Sequence, residues 1–253
     1  MKKTKIDWAD STWNPVTGCL HGCEYCYAQR IAERFGTEKK YKRPYNPVLD
    51  VPVRRVRTEC EPYPYGFRPT FHRYKLDEPK RWKKPRTIFA CSMADLFGDW
   101  VPDEWIEEVF QACESAPWHR YLFLTKNPVR YLKLAEAGKL PIKENFWYGS
   151  STTTKEEEFF WNTDVNTFVS IEPILEPFTC LLDYGTEAVK RTDWIIVGAE
   201  TGNRKCKVIP EKLWIMEIKE AAADCGVPIF MKESLRGLMG DDFRQEFPWD
   251  RQA

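Results

Sequence analysis

Residues 13–27 have the sequence Trp13-Asn14-Pro15-Val16-Thr17-Gly18-Cys19-Leu20-His21-Gly22-Cys23-Glu24-Tyr25-Cys26-Tyr27, which places three thiols within eight residues. Such close spacing requires a common ligand or a loop that wraps one. Gly18 and Gly22 permit tight turns that bring backbone amides close to such a ligand. Three thiolates would hold three irons of a 4Fe-4S cluster and leave the fourth iron open, as expected of a catalytic centre. We therefore predict Cys19, Cys23 and Cys26 as metal ligands.

Two other interpretations of the three cysteines stay open. Zinc held by these thiols together with His21, or with the more distant His72 or His119, is chemically allowed. The second interpretation is that buried cysteines cluster here by chance, although the Gly, His and Glu residues around them are not typical of a core.

The composition of the chain is that of a folded globular protein. Its 253 residues are 43% hydrophobic and 15% aromatic, enough to exclude general disorder and to favour a single domain over 1–253. There is no run of about 18 apolar residues, and no apolar segment of a signal peptide follows the first residues. We expect a cytoplasmic protein without a membrane partner. In a reducing compartment, its nine cysteines are better interpreted as ligands, catalytic thiols or buried residues than as disulfides.

Short β-branched or aromatic runs alternate with helical patterns, which predicts an α/β fold of βα units. The predicted strands are Thr12–Thr17, Thr87–Ser92, Arg120–Thr125, Phe146–Ser151, Thr167–Glu172, Asp193–Gly198 and Val227–Met231. The predicted helices are Glu24–Phe35, Asp103–Ala116 with an N-capped start, Val129–Glu136, Lys155–Trp161 and Glu211–Cys225. Several strands are apolar without alternation, as in a parallel sheet covered on both faces. We predict a partial or full TIM-like (β/α) barrel, with a doubly wound sheet as the alternative.

Polar residues that follow the predicted strands are candidate cofactor contacts, because the carboxyl ends of parallel strands carry the active site of such folds. They are Ser92, Asp95, Lys126, Ser150, Thr152, Glu172 and Glu200. Lys126 suits a carboxylate, and the hydroxyls and Asp95 suit amino or ribose groups. The alternatives are helix capping by Asp95, a polar loop at Ser150 to Thr152, and structural ion pairs for Glu172 and Glu200.

The Cys-x3-Cys-x2-Cys spacing, with the aromatic Tyr25 before the last cysteine, resembles the signature of the radical S-adenosylmethionine superfamily. The resemblance implies a barrel of the radical S-adenosylmethionine type, with a 4Fe-4S cluster whose open iron binds S-adenosylmethionine. It also implies reductive cleavage to a 5′-deoxyadenosyl radical, fed by an external one-electron reductant of the flavodoxin or ferredoxin type. Tyr25 joins the candidate cofactor contacts on this ground.

Two narrower resemblances cover other motifs. Segments such as Trp13-Asn14-Pro15, Ser92-Met93-Ala94-Asp95 and Ser170-Ile171-Glu172-Pro173 are similar to a phage and bacterial family of unknown function. Ala90-Cys91-Ser92-Met93-Ala94-Asp95 and Thr125-Lys126 are distantly similar to motifs of spore photoproduct lyase, a radical enzyme that repairs DNA. The resemblance implies that Cys91 is a catalytic hydrogen donor, although the motif here is one residue longer.

Residues 36–86 form a long basic and aromatic insertion, because residues 38–86 contain 15 Lys and Arg against 6 Asp and Glu. Basic residues interleaved with Tyr65, Trp82 and other aromatic rings are typical of nucleotide binding by stacking and phosphate contact. The alternative is a lid over the barrel. The chain is therefore expected to modify or repair a nucleic acid or nucleotide. A radical enzyme acting on a peptide or small molecule, and a non-catalytic metal-dependent nucleic-acid-binding module, are the competing hypotheses.

Overall fold

The structure is a computed structural model that describes residues 4, 6–37, 43–54, 60–178, 191–202 and 204–251. The chain divides into two compact units. The first consists of Ala9–Pro141 with Met1–Thr4, and the second of Ile142–Ala253 with Lys5–Trp8.

The first unit contains a parallel sheet and a small second sheet. Its elements in chain order are β1 (Ser11–Trp13), β2 (Val16–Thr17), α1 (Tyr27–Phe35), β3 (Val48–Leu49), β4 (Thr70–His72), α2 (Glu78–Arg81), β5 (Thr87–Ala90), α3 (Asp103–Glu114), β6 (Arg120–Thr125) and α4 (Pro128–Glu136). The parallel strands lie in the order β1-β5-β6, with Thr12 opposite Phe89 and Thr87 opposite Arg120. The small sheet has the order β2-β4-β3, in which β2 is antiparallel to β4.

The second unit contains four parallel strands in the order β7-β8-β9-β10. Its elements are β7 (Phe146–Thr152), β8 (Asn166–Ile171), β9 (Ile195–Val197), α5 (Lys212–Asp224), β10 (Ile229–Met231) and α6 (Arg236–Met239). Every residue of β9 and β10 is buried, as expected of parallel strands covered on both faces.

Aromatic side chains form much of each core. In the first unit, the ring centroids of Phe97 and Tyr131 lie 4.5 Å apart, and Phe71 stacks on Trp105 at 5.2 Å. In the second unit, Trp194 packs edge-on against Trp249 at 5.2 Å. Rings at these distances add about 0.5–1.5 kcal/mol per pair to the burial of their surface.

The predicted α/β fold class is confirmed, and the succession of parallel strands and helices is that of a partial TIM-like barrel. All seven predicted strand regions contain strands. The first one is divided, because the chain bends at Asn14-Pro15 and β1 and β2 pair in different sheets. No helix within the described ranges is long and apolar enough to cross a membrane.

Four of the five predicted helices are present, and two details of the helix predictions are wrong. The helix predicted at Lys155–Trp161 is absent. There the Glu157 carboxylate accepts from the backbone amides of Thr153 and Thr154, and the Phe160 amide donates to Ser150 Oγ at 2.8 Å instead of to a helical carbonyl. In α3, Pro102 occupies the N-cap and Asp103 the first turn. The Asp103 carboxylate pairs with Arg130 and does not cap the helix.

The described part of the 36–86 segment belongs to the first unit's own structure. It contains β3, β4 and α2, and Phe71 and His72 are fully buried. Residues 38–42 and 55–59 lie outside the described residues. Residues 60–86 thus contribute to the core and the surface of the first unit.

Candidate functional site

The loop of residues 18–26, hereafter the Cys loop, connects β2 to α1 in the first unit. It starts at Gly18, whose φ of +90° is unfavourable for residues with a side chain. A Cβ atom at Gly18 would lie 2.3 Å from the backbone oxygen of Arg68. The Gly18 amide donates to the Met93 carbonyl at 2.9 Å, and the Cys19 amide donates to the Phe67 carbonyl at 3.2 Å. The Cys loop is therefore fixed against the turn that follows β5.

The three thiols of the Cys loop are partly buried and free of disulfides. Cys26 is the N-cap of α1, and its Sγ accepts from the Gln29 amide at 3.3 Å. Burial, with smaller effects of the nearby Asp95, Cys26 and Cys23 groups, raises the pKa of Cys19 to about 12. The three thiols belong to one short loop, where like charges oppose ionisation unless a cation offsets them.

The chemistry of these donors fits an iron-sulfur cluster. Within the described residues, no three or more His, Cys, Asp or Glu side chains have the arrangement of a metal-ion site. The fit therefore rests on the donor set: three free thiols from one short loop, each able to hold a separate iron once ionised. Cys19, Cys23 and Cys26 would hold such a cluster.

Asp95 connects the Cys loop to the ends of β5 and β6. Its Oδ2 lies 2.7 Å from His21 Nε2 and accepts from the Lys126 amide at 2.9 Å. Its Oδ1 accepts from Thr125 Oγ1 at 2.7 Å and from the Phe97 amide at 3.0 Å. Asp95 is only 5% exposed. A carboxylate has about four lone-pair sites, and these four contacts occupy them.

Lys126 contacts the Cys loop at a second point. Its Nζ donates to Tyr25 Oη at 2.8 Å and lies 5.2 Å from the centroid of the Tyr25 ring, within the range of a cation–π interaction. The end of β6 is therefore connected to the Cys loop at two points. One connection runs through Asp95 to His21, and the other joins Lys126 to Tyr25.

Ser92 is held by residues on both sides of the Cys loop. Its hydroxyl donates to Asn14 Oδ1 at 3.1 Å, and its carbonyl accepts from Tyr27 Oη at 2.6 Å. Asn14 Oδ1 also accepts from the Met93 amide at 2.9 Å. Asn14 and Tyr27 are not among the residues predicted for the site. The Trp13-Asn14-Pro15 motif marks Asn14 in the sequence, but a motif does not reveal its hydrogen-bond partner.

Cys91 lies directly after β5 in a strained conformation. It is the one described non-glycine residue with a positive φ, at 58°. It is 2% exposed, and burial raises the pKa of its thiol to about 12. Its amide donates to the Trp13 carbonyl at 2.7 Å. Strain of this kind is concentrated at functional sites and requires support from the surrounding structure.

The four candidate residues of the second unit have local partners. Ser150 Oγ accepts from the Phe160 amide, and Thr152 Oγ1 donates to the Thr154 carbonyl at 2.7 Å. Glu172 forms an ion pair with Lys232. Glu200, whose side chain is 1% exposed, holds Arg204 through two bonds of 2.7 and 2.8 Å. Both carboxylates thus form ion pairs within the unit, and their predicted contact with a cofactor stays a prediction.

The histidines proposed as an additional zinc ligand differ in their surroundings. His72 is fully buried, with Nε2 2.8 Å from Thr17 Oγ1 and Nδ1 3.4 Å from Tyr74 Oη. His119 Nε2 bonds to the Pro79 carbonyl at 3.0 Å. Both imidazoles therefore have partners away from the Cys loop, whereas His21 lies inside it.

The fold is similar to that of two solved structures of spore photoproduct lyase. One is a cysteine-to-alanine mutant with dinucleoside spore photoproduct, at 11% sequence identity, and the other is the enzyme complexed with dinucleoside spore photoproduct, at 10%. Each match has a TM-score of 0.53 and covers 91% of this chain and 79% of the lyase chain. At this identity the likeness concerns the fold. No curated protein matches the sequence.

A protein family described as "Protein of unknown function (DUF5131)" matches residues 3–238. This range includes the Cys loop, Asp95, Lys126 and the four candidate residues of the second unit. Because the match spans most of the sequence, the chain belongs to the DUF5131 family.

Proposed function

We propose that this protein is a radical S-adenosylmethionine enzyme that modifies or repairs a nucleic acid or nucleotide. The observation that carries the proposal is the Cys loop: three free thiols held against the ends of β5 and β6 by Asp95 and Lys126. Its position after β2 in a fold like that of spore photoproduct lyase supports the same chemistry.

The cysteines of the Cys loop, Lys126 and Asp95 have separate roles in this proposal. Cys19, Cys23 and Cys26 would hold a 4Fe-4S cluster, which would supply the electron for cleavage of S-adenosylmethionine when bound. An ammonium has three donors, so Lys126 can bind Tyr25 and the methionine carboxylate together. Because the acceptor sites of Asp95 are filled, we propose that Asp95 holds the Cys loop and does not contact the cofactor directly.

The remaining predicted residues act on the cofactor or on the product. Ser92, Ser150, Thr152, Glu172 and Glu200 are proposed as further contacts of S-adenosylmethionine. Cys91 is proposed as the donor that returns a hydrogen atom to the product radical, which leaves a thiyl radical on its sulfur. The electron enters from an external reductant of the flavodoxin or ferredoxin type.

Two observations support a nucleic-acid or nucleotide substrate. The solved lyase structures hold a dinucleoside photoproduct, and residues 38–86 of this chain carry 15 basic against 6 acidic residues. Of the rings named in the sequence analysis, Tyr65 is buried and packs edge-on against Tyr45 at 5.3 Å. It is therefore not available for stacking a base.

Anaerobic reconstitution of the cluster tests the proposal at the Cys loop. The wild type should take up about four irons per chain and absorb visible light by iron-sulfur charge transfer. Cys19→Ala, Cys23→Ala and Cys26→Ala should each lose the cluster, because each removes one iron ligand. Cys60→Ala and Cys206→Ala remove exposed thiols outside the Cys loop and serve as matched controls with full iron content.

Full iron content in a variant lacking all three thiols would contradict the proposal. Stoichiometric zinc with no iron uptake in the wild type would also contradict it, in favour of a zinc-dependent binding module.

A further inference from the structure

Residues 80–86, hereafter the basic turn, have the sequence Lys80-Arg81-Trp82-Lys83-Lys84-Pro85-Arg86. Five of these seven residues are basic and none is acidic. The segment runs from the end of α2 to the start of β5, and Lys80, Arg81, Lys83 and Lys84 are exposed. A concentration of positive charge on one short connection creates a local potential that attracts polyanions.

Two lysines of the basic turn carry charge that no nearby carboxylate offsets in the described part of the chain. Among the residues that the structure describes, Lys83 and Lys84 have no carboxylate within ion-pair distance. Lys80 lies 3.9 Å from Asp77, in an exposed pair that contributes little. Two further carboxylates lie next to the turn: that of Glu78 at the start of α2, and that of Asp10, which accepts from the Thr87 amide just after Arg86 at 2.8 Å. The positive charges exceed the nearby negative ones.

An exposed aromatic ring borders the basic turn. Trp118 is 40% exposed, and its Nε1 donates to the Trp82 carbonyl at 2.8 Å. Trp82 itself is half-buried, with the Arg86 guanidinium 5.2 Å from its ring centroid. Trp118 is therefore the ring available for stacking a base, although the sequence analysis singled out Trp82.

The basic turn lies at the opposite end of β5 from the Cys loop. Arg86 precedes β5 and Cys91 follows it, and four extended residues separate the two ends by about 13 Å. The Arg120 amide donates to the Arg86 carbonyl at 2.9 Å, which fixes the end of the turn to β6. A ligand that contacts both the basic turn and the Cys loop must therefore span at least the length of β5.

We infer that the basic turn and Trp118 form an anchoring site for single-stranded nucleic acid, in which lysines neutralise phosphates and Trp118 stacks on a base. The substrate class rests on the proposed function, but the nucleic acid would contact this site away from the Cys loop. Such a site holds a nucleic-acid strand by its backbone, while another part of the same strand reaches the reacting groups.

Fluorescence anisotropy with a labelled single-stranded oligonucleotide tests the site in the full chain over a range of salt concentrations. Lys83→Ala/Lys84→Ala should weaken binding roughly tenfold or more at low salt. It should also make the log-log salt slope less negative by about 1.4, at about 0.7 for each lost phosphate contact. Lys133→Ala/Lys155→Ala removes the same charge from two exposed lysines elsewhere and should change binding little.

The stacking part of the site has its own pair of variants. Trp118→Ala should weaken binding roughly 5- to 150-fold, the range for one lost base stack. Trp118→Phe keeps an aromatic face and should restore most of the affinity, which separates stacking from misfolding. Equal loss in the control lysine pair, an unchanged affinity in Trp118→Ala, or wild-type binding to anionic vesicles but not to the oligonucleotide would each overturn the inference.

The outcome also separates this inference from the proposed function. Cleavage of S-adenosylmethionine by a wild type that does not bind the oligonucleotide would overturn the anchoring site alone. Binding with the predicted salt slope by a wild type that cannot assemble a cluster would overturn the proposed function and support the anchoring site.

Discussion

Gly18 and Gly22 both have positive φ angles, but they differ in their surroundings. A Cβ on Gly18 would lie 2.3 Å from the Arg68 backbone oxygen, whereas nothing lies within 4 Å of a Cβ on Gly22. The backbone conformation alone costs about 1–2 kcal/mol for a residue with a side chain. The collision at Gly18 adds to that cost, since backbone atoms cannot move aside as a flexible side chain can.

Gly18→Ala should therefore lower the free energy of unfolding by more than Gly22→Ala. We expect a loss of about 1–2 kcal/mol for Gly22→Ala and at least about 1 kcal/mol more for Gly18→Ala. Urea unfolding of both variants beside the wild type measures the difference. Equal losses would show that the Cys loop does not approach Arg68 as described.

His72 makes the stability of the first unit dependent on pH. Burial, with a smaller effect of the nearby Lys75 charge, lowers the pKa of His72 to about 3, compared with about 6.5 in an unfolded chain. Below about pH 6.5 the unfolded state therefore binds a proton that the folded state does not. The contribution of neutral His72 to the free energy of unfolding is fully present above that pH and is lost as the pH falls toward 3.

His72→Gln should reduce this dependence on pH, because the amide does not titrate. Between about pH 6.5 and 4.5, the wild type should lose up to about 1.4 kcal/mol per pH unit from His72, and the variant should lose less. Urea unfolding midpoints across this range measure the two slopes. Because burial also lowers the pKa of His119, His119→Gln should reduce the slope as well. Identical slopes in His72→Gln and the wild type would contradict the assignment.

At the scale of elements, the Cys loop is held by the ends of β5 and β6. The connection runs through Asp95, whose carboxylate bonds to His21 in the loop and to Thr125 and Lys126 at the end of β6. The sequence separation between His21 and Asp95 is 74 residues. Residues distant in the sequence therefore hold the Cys loop.

Asp95→Asn should loosen the Cys loop in the metal-free protein. The amide nitrogen cannot accept hydrogen bonds, so at least one donor near His21 or Thr125 loses its partner, at a cost of about 1.5–3 kcal/mol. Amide hydrogen exchange in residues 18–26 should become roughly 10- to 100-fold faster.

Asp99→Asn is the matched control, because Asp99 is an exposed carboxylate of the same turn that accepts from Asn127 at 3.0 Å. Exchange in residues 18–26 should stay at the wild-type rate in this variant. Wild-type exchange in Asp95→Asn would show that the Cys loop does not depend on the carboxylate.

At the scale of the whole molecule, hydrophobic pattern was sufficient for most of the fold. Short β-branched or aromatic runs predicted all seven strand regions, and several of these runs are continuously apolar, as buried parallel strands require. Lys155–Trp161 has a helical pattern but forms no helix. Its Phe160 amide donates to Ser150 Oγ, and the Glu157 carboxylate accepts from the Thr153 amide just before the segment. Such competition between side chains and helical bonds depends on tertiary placement and cannot be read from periodicity.

The candidate site was predictable only in part, for the same reason. Three thiols within one loop are visible in the sequence as a spacing. The acceptor role of Asp95 is not visible in the sequence, because its hydrogen-bond partners come from β6, from the turn after β5 and from the Cys loop. The exposure of Trp118 beside the basic turn likewise follows from the pairing of β5 with β6.

Product analysis is the strictest test of the proposal that the Cys loop supports radical cleavage of S-adenosylmethionine. The reconstituted wild type is incubated anaerobically with S-adenosylmethionine and a strong one-electron reductant, and the products are quantified by mass spectrometry. The account predicts 5′-deoxyadenosine and methionine in equal amounts, and neither product from Cys23→Ala. A wild type that holds about four irons per chain yet forms no 5′-deoxyadenosine would contradict it.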